Sequence, residues 1–386
     1  MGGPSATHKE ESVSHAWSTT EEQSSALGLL HRLHAYRSVG ESFEPGPPAV
    51  STPRTKIGIV GAGVVTSGSH LPVLVNMSEV SVEWVCDRSL PAAQRVARAY
   101  GISGAFGDLT QCPDVDIVLV ATPVGSRRAV VPEVLARGWH AFCEKPFALT
   151  LSDHELFMND AHARGVQIGV AQVRRYAKPT ASARALIRHG VLGPIERVMA
   201  ADGFHMRGTG RGGAWHLNDR AAGGGVLGEF GSHLIDQVLY ILGATSASVR
   251  ECTQRVHRGL ELASSLLADV STSSGPPIPC SMDVSLLDDL CNGVYIEFAD
   301  AMLRVGLGFE DALTLLSKDG EPISDFAMRD GAESPVQGFY LEWKDFLRQC
   351  RTGEPSAIDA GTVKTTTALI DEASRTRNGA VQAPAA

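Results

Sequence analysis

The chain has 386 residues, of which 43% are hydrophobic and 20% charged, and a formal net charge of -9. This suits a globular protein with a sizeable core and room for two or three domains. An acidic balance of 34 Lys and Arg against 43 Asp and Glu, with no basic stripe interleaved with aromatics, argues against a nucleic-acid partner.

The seven cysteines are scattered and contain no CxxC pair, so they suggest neither a disulfide framework nor a zinc site. They suit a reducing compartment, and a cytoplasmic protein is expected. No charged segment followed by a long apolar core opens the chain, and no run of 18 apolar residues occurs, so no membrane span is expected.

Residues 1–53 are rich in Ser, Thr, Glu, Gly and Pro and close with the linker-like Glu44-Pro-Gly-Pro-Pro48. Leu27, Leu30 and Leu33 recur at spacing three. They read either as a short helix docked on the body or on a partner subunit, or as part of a disordered arm.

From residue 54 the pattern changes. Ile57–Val60, Val82–Val85, Val115–Ala121, Trp139–Phe142 and Val166–Val173 read as strands. Helical stretches at Pro91–Tyr100, Arg127–Arg137 and Ser152–Arg164 separate them. This alternation predicts a doubly wound parallel sheet, an α/β Rossmann domain over 54–175.

Residues 176–386 predict an α+β substrate and oligomerisation domain. Strand-like runs occur at Ile195–Ala201, Ala247–Val256, Ser264–Val270, Cys280–Leu286, Gly293–Phe298, Met302–Val305 and Ala312–Leu316. Without regular intervening helices they predict a large, mostly antiparallel sheet. One Gly-rich helix, Gly224–Leu242, interrupts them. Helices Phe339–Cys350 and Asp359–Thr376 close the chain, with room to pack back on the first domain.

Gly61-Ala-Gly63-Val64-Val65-Thr66 follows the first strand and opens a helix. Gly61 permits the tight turn, and Gly63 lets the backbone approach a pyrophosphate at the helix N-terminus. Gly is common in this chain, so the pair gains its meaning from the strand before it and the helix after it. Asp87 ends the second strand, where a carboxylate hydrogen-bonds the ribose hydroxyls of NAD, although Asp there also serves as a helix cap. Arg88 is suited to a 2′-phosphate or to stacking on adenine. The expected cofactor is NAD, with NADP left open. Thr122-Pro123 ends the third strand and Glu144-Lys145-Pro146 the fourth, both where the nicotinamide half belongs. Alone, Lys145 reads as a surface turn lysine. At a strand C-terminal edge it is a cation able to stabilise negative charge on a substrate oxygen.

Gly223-Gly-Gly-Val-Leu-Gly-Glu229-Phe-Gly-Ser-His233-Leu-Ile-Asp236 spends helix stability on glycines, about 1 kcal/mol each relative to alanine. Helical spacing puts Glu229, His233 and Asp236 on one face, where a carboxylate orients the imidazole and raises its pKa. His233 is then a general acid/base. The plainer alternative is a satisfied polar network between domains. The other histidines, His70 and His140 among them, show no comparable setting, and no metal site is expected.

Together, Gly61-Ala-Gly63…His70-Leu-Pro72, Ala121-Thr-Pro123, Glu144-Lys-Pro146, Arg174-Arg175 and Gly223-Gly-Gly…Glu229…His233…Asp236…Leu242-Gly243 resemble the glucose-fructose oxidoreductase / inositol dehydrogenase / rhizopine catabolism family over residues 54–380. The resemblance implies an NAD(P)-dependent oxidoreductase acting on a sugar, amino-sugar or cyclitol hydroxyl or ketone. Lys145 would be its active-site lysine and His233 its general acid/base. The family's Lys-Pro bond is often cis. The resemblance also implies a homo-oligomer, a dimer or tetramer.

This chain departs from the family at Glu229, where Asp is usual, at Val124, where Asn is common, and at Arg127, where His is common. Arg174, Arg207, Arg211 and Trp215 are candidate substrate contacts, Trp215 offering a flat face to a sugar ring. Two other functions stay open: a glycosidase or eliminase that recycles bound NAD, and a non-catalytic dinucleotide sensor.

Overall fold

The computed structural model describes residues 53–206, 225–257, 260–326, 328, 331–376 and 380–382. The Leu27–Leu33 stripe and the candidates Arg207, Arg211 and Trp215 lie outside the described residues.

A first sheet has six strands: β1 (Thr55–Val60), β2 (Val80–Cys86), β3 (Gly104–Phe106), β4 (Ile117–Val120), β5 (His140–Cys143) and β6 (Ile168–Val170). Their spatial order is β3-β2-β1-β4-β5-β6, and every pair is parallel. All four residues of β4 are buried, as are the last four of β1, because helices cover both faces. Helices α1 (Leu71–Leu74), α2 (Leu90–Tyr100), α3 (Arg127–Ala136) and α4 (Leu151–Arg164) make the crossovers. The order reverses between β1 and β4. The C-terminal ends of those strands therefore flank a crevice at the topological switch point.

The second sheet has nine strands: β7 (Ile195–Gly203), β8 (Ser246–His257), β9 (Leu260–Ser271), β10 (Ile278–Ser285), β11 (Gly293–Phe298), β12 (Met302–Val305), β13 (Leu313–Leu316), β14 (Pro322–Asp325) and β15 (Ala380–Gln382). Their order is β14-β13-β12-β11-β7-β10-β9-β8-β15. β7 with β10 and β8 with β15 are parallel, and the remaining pairs are antiparallel. Three helices lie against one core with this sheet: α5 (Lys178–Arg188), α6 (Ser232–Leu242) and the second half of α8 (Ala360–Arg375). Helix α5 and the short strands β3, β14 and β15 are absent from the sequence reading.

The last two helices tie the halves together. In α7 (Pro335–Thr352), Trp343 meets Phe142 of β5 edge-on at 4.5 Å, and Phe346 stacks on the same ring at 5.0 Å. Both are fully buried, each contributing roughly 2–3 kcal/mol of hydrophobic stabilisation. Gly169 of β6 allows this approach, since a Cβ there would lie 2.6 Å from Phe346. Helix α8 gives Ala360 and Val363 to the core under the first sheet and Leu369 and Ala373 to the core under the second.

Candidate active site

The strand-to-helix loop after β1 has the shape its glycines require. Gly61 has φ +108°, and a Cβ on it would lie 2.6 Å from the carbonyl of Ala121, at the end of the neighbouring strand β4. A Cβ on Gly63 would meet nothing within 4 Å. Backbone is thus bare where a pyrophosphate approaches a helix start. Thr66, standing where a third glycine is usual, is buried and donates its hydroxyl to the Gly61 carbonyl at 2.6 Å. Val64 is exposed on the rim and Val65 half-buried.

Asp87 follows β2 and accepts from the backbone N–H of Ala62 at 2.9 Å and of Ser89 at 2.8 Å. Its carboxylate is therefore anchored beside the loop, while Arg88 is exposed. At the end of β4, Thr122 carries a buried hydroxyl oxygen with no hydrogen-bond partner among the described residues. A bare glycine cradle, an anchored carboxylate and this orphan hydroxyl, all at one sheet edge, fit a dinucleotide. Gly61, Gly63, Val64 and Val65 would border its phosphates, Asp87 its adenosine ribose, and Thr122-Pro123 its nicotinamide end.

The Lys145-Pro146 bond is cis. Lys145, largely buried, donates from Nζ to Oε1 and to the main-chain carbonyl of Glu229, both at 2.9 Å. A cation on the first sheet's edge thus meets the helix that enters α6. Here the longer Glu229 side chain serves directly as the ammonium's counter-ion.

His233 lies within the electrostatic reach of Lys145 and Arg174. The residue is half-buried overall, and its Nδ1 is buried without a partner among the described residues. Burial first, then the charges of Lys145 and Arg174, hold its pKa well below the ordinary imidazole range. The ring is a neutral base.

The expected carboxylate–imidazole pairing is corrected by this geometry, and so is the expected rise in the His233 pKa. Residues Leu227–Gly231 are wound as a π turn, with α-helix resuming at Ser232. The wider turn breaks the four-residue stacking of Glu229 on His233. Asp236 points elsewhere. Its Oδ1 accepts from Arg175 Nη2 at 2.6 Å, its Oδ2 from Arg175 Nε at 2.7 Å, and Oδ1 also from the Thr366 hydroxyl at 2.9 Å. Asp236 thus belongs to a buried joint between the domains. Arg174 is near enough for its charge to act on His233, and it pairs with Asp202 at 2.9 Å.

Glu144, expected among the cofactor contacts, turns its side chain inward. Oε1 bonds His70 Nε2 at 2.8 Å, and Oε2 accepts from the Lys145 backbone N–H at 3.0 Å. Burial alone would raise its pKa. The His70 bond and the Lys145 and Arg127 charges outweigh that and hold it below the usual carboxylate range. His70, set aside on sequence, is fully buried at the centre of this arrangement.

On sequence Arg127 is only a departure from the family pattern. It is buried, and its guanidinium donates to the carbonyls of Thr122 (3.0 Å from Nη2), Glu144, Pro146 and Phe147. It thereby holds the main chain on both sides of Lys145. Burial lowers its pKa, and the neighbouring Cys143, Glu144 and Glu229 offset that only in part. No periodicity in the sequence announces these roles. For His70 the signal is the His70-Leu-Pro72 motif itself.

Comparison with known proteins agrees with the geometry. Residues 55–172 match the family model for the oxidoreductase family with an NAD-binding Rossmann fold, and residues 180–286 match the GFO/IDH/MocA C-terminal domain. Rhizopine catabolism protein MocA of Rhizobium meliloti is 28% identical over 322 residues, 80% of this chain and 90% of that protein. D-glucoside 3-dehydrogenase of Escherichia coli is 28% identical over 198 residues, 50% of this chain and 56% of that protein, so the match spans little more than half that enzyme's length. Among solved structures, KijD10, a 3-ketoreductase of Actinomadura kijaniata crystallised with NADP and TDP-benzene, superposes with a TM-score of 0.73. It shares 17% identity and covers 85% of this chain and 99% of that one, a likeness of fold. The chain belongs to the GFO/IDH/MocA family of oxidoreductases, with an NAD-binding Rossmann domain at its first sheet.

Proposed function

We propose that the protein transfers hydride between a nicotinamide dinucleotide and a secondary hydroxyl or ketone of a sugar, amino-sugar or cyclitol. The observation that carries this reading is the meeting of Lys145, from the edge of the first sheet, with Glu229 and a neutral His233 from the second domain, beside a dinucleotide cradle. When bound, the dinucleotide supplies or removes the hydride. His233 accepts the hydroxyl proton in the oxidative direction and returns it in the reductive one. The Lys145 ammonium stabilises the developing alkoxide. Glu229 keeps the ammonium aimed at the crevice, and Arg174 adds a second positive group on the substrate side. Asp87 favours NAD, since a carboxylate at that place repels a 2′-phosphate. The names of the relatives, a glucoside dehydrogenase and a 3-ketoreductase among them, support a carbohydrate-type carbonyl.

The test is NADH formation across a panel of polyols and glycosides. Lys145→Met and His233→Ala should each lower kcat/KM by about 10²–10⁴. Near-full turnover in either variant would sink the assignment. Net NADH formation separates this reaction from a closed redox cycle, which forms none.

A further inference from the structure

A chain of hydrogen bonds runs from α7 to the backbone of Lys145. Trp343 Nε1 donates to His70 Nδ1 at 3.0 Å. An indole N–H only donates, so Nδ1 is the accepting nitrogen and the proton sits on Nε2. His70 Nε2 therefore donates to Glu144 Oε1 at 2.8 Å, and Glu144 Oε2 accepts the Lys145 N–H at 3.0 Å. The His70 ring is walled by Phe142, Phe339 and Trp343 with centroids at 5.9, 4.9 and 5.9 Å. The charged and titratable groups facing Glu144 are Lys145 beside it, Arg127 from α3, and Glu342 from α7. Glu342 is fully buried, and burial and the Glu144 charge raise its pKa well above the ordinary carboxylate range.

We infer that His70, held as its Nε2–H tautomer by Trp343 on one side and Glu144 on the other, is a positioning residue that sets the aim of Lys145 through Glu144. This rests on the reading of Lys145 given above. His70 touches neither crevice nor solvent. What it controls is the second oxygen of Glu144, and with it the backbone from which the Lys145 side chain departs.

The intact protein, its His70→Gln, His70→Leu and Trp343→Phe variants, and two readouts test this. Gln keeps a donor near the Nε2 position and Leu removes it. Exchange protection of the Lys145 amide should survive in His70→Gln and fall in His70→Leu by about tenfold or more. kcat should drop by about 10² in His70→Leu and by about threefold or less in His70→Gln, with the dissociation constant for NADH within about twofold in both. Protection and kcat unchanged in His70→Leu would overturn the inference. So would equal losses in Gln and Leu, which would mark a purely structural role. If His70→Leu does not fold, ring-nitrogen NMR decides. The wild type should show a single Nε2–H tautomer, which the Glu144 carboxylate preserves in Trp343→Phe while the Nδ1 resonance shifts on losing its donor, and a different wild-type tautomer or an unmoved Nδ1 resonance overturns the inference. A wild-type protein that oxidises no polyol sinks the reading of Lys145 as catalytic, while the amide and ring measurements still decide the His70 chain.

Discussion

A base is useful only while it is unprotonated, and His233 is kept so by three agreeing causes: burial, Lys145 and Arg174. Its folded-state pKa lies below the free value of about 6.5. As pH falls, the neutral ring therefore persists past the point where an exposed histidine would be half protonated. The oxidative kcat/KM is expected to stay flat from pH 7.5 down through 6.5, with its acid limb lower still. Arg174→Met removes one positive neighbour and should move that limb upward. A pH–rate profile checks both, and a wild-type limb above pH 6.5 would contradict the cause assigned here. The sequence singled out His233 and Lys145 through their motifs, but it paired His233 with Glu229 and Asp236, which bond Lys145 and Arg175 instead. Helical arithmetic assumes 3.6 residues per turn, and the π turn at Leu227–Gly231 is not visible in residue types. Glu144 and His70 are 74 residues apart, and no local periodicity reaches that far.

Among the elements, the strands that sequence reading located are those with a long apolar run or a clear alternation. β4 is an unbroken apolar run, and β11 and β12 match the expected bounds because their alternation is clean. β3 and β15 have three residues each, and β14 opens on Pro322 at a sheet edge, so none offers a periodic signal. Helix packing carries a pH dependence of its own. His154 of α4 is buried against α8, its Nε2 bonded to the Ala360 carbonyl at 3.0 Å and its Nδ1 to the Thr367 hydroxyl at 2.9 Å. Burial, the largest cause, brings its pKa down to about 4. Between that value and about 6.5 the unfolded chain binds the proton that the folded protein refuses. Stability from this group is complete above about pH 6.5 and is lost as pH falls toward 4, by about 2 kcal/mol at pH 5. Urea titrations at pH 7.5 and 5 should show that much less pH sensitivity in His154→Gln than in the wild type. Equal sensitivity would mean that another group dominates.

At the scale of the whole molecule, the crevice exists only if the two sheets are held in fixed relation, and one buried ion pair sits at that junction. Arg175 lies in the turn leaving the first sheet, and Asp236 lies on α6 under the second, both side chains 2% exposed. The guanidinium also donates to the Thr362 hydroxyl in the first turn of α8 at 2.7 Å and to the Ala357 carbonyl just before that helix, and it stacks over Tyr240 at 4.8 Å. Burying two charges is costly, and their attraction offsets that cost only while both are present. Asp236→Ala should therefore destabilise the protein by about 3–5 kcal/mol, because it strands a buried cation. Arg175→Met combined with Asp236→Leu should recover most of that loss, since neither charge then remains. Denaturant titrations of the two variants decide the point, and kcat of the double variant decides a second one. If Asp236 belongs to the joint and not to the chemistry, the refolded double variant keeps turnover within about tenfold of wild type, far above the loss expected of an acid/base partner. A cost below about 1 kcal/mol for Asp236→Ala, or a dead but stably folded double variant, would return Asp236 to the active site.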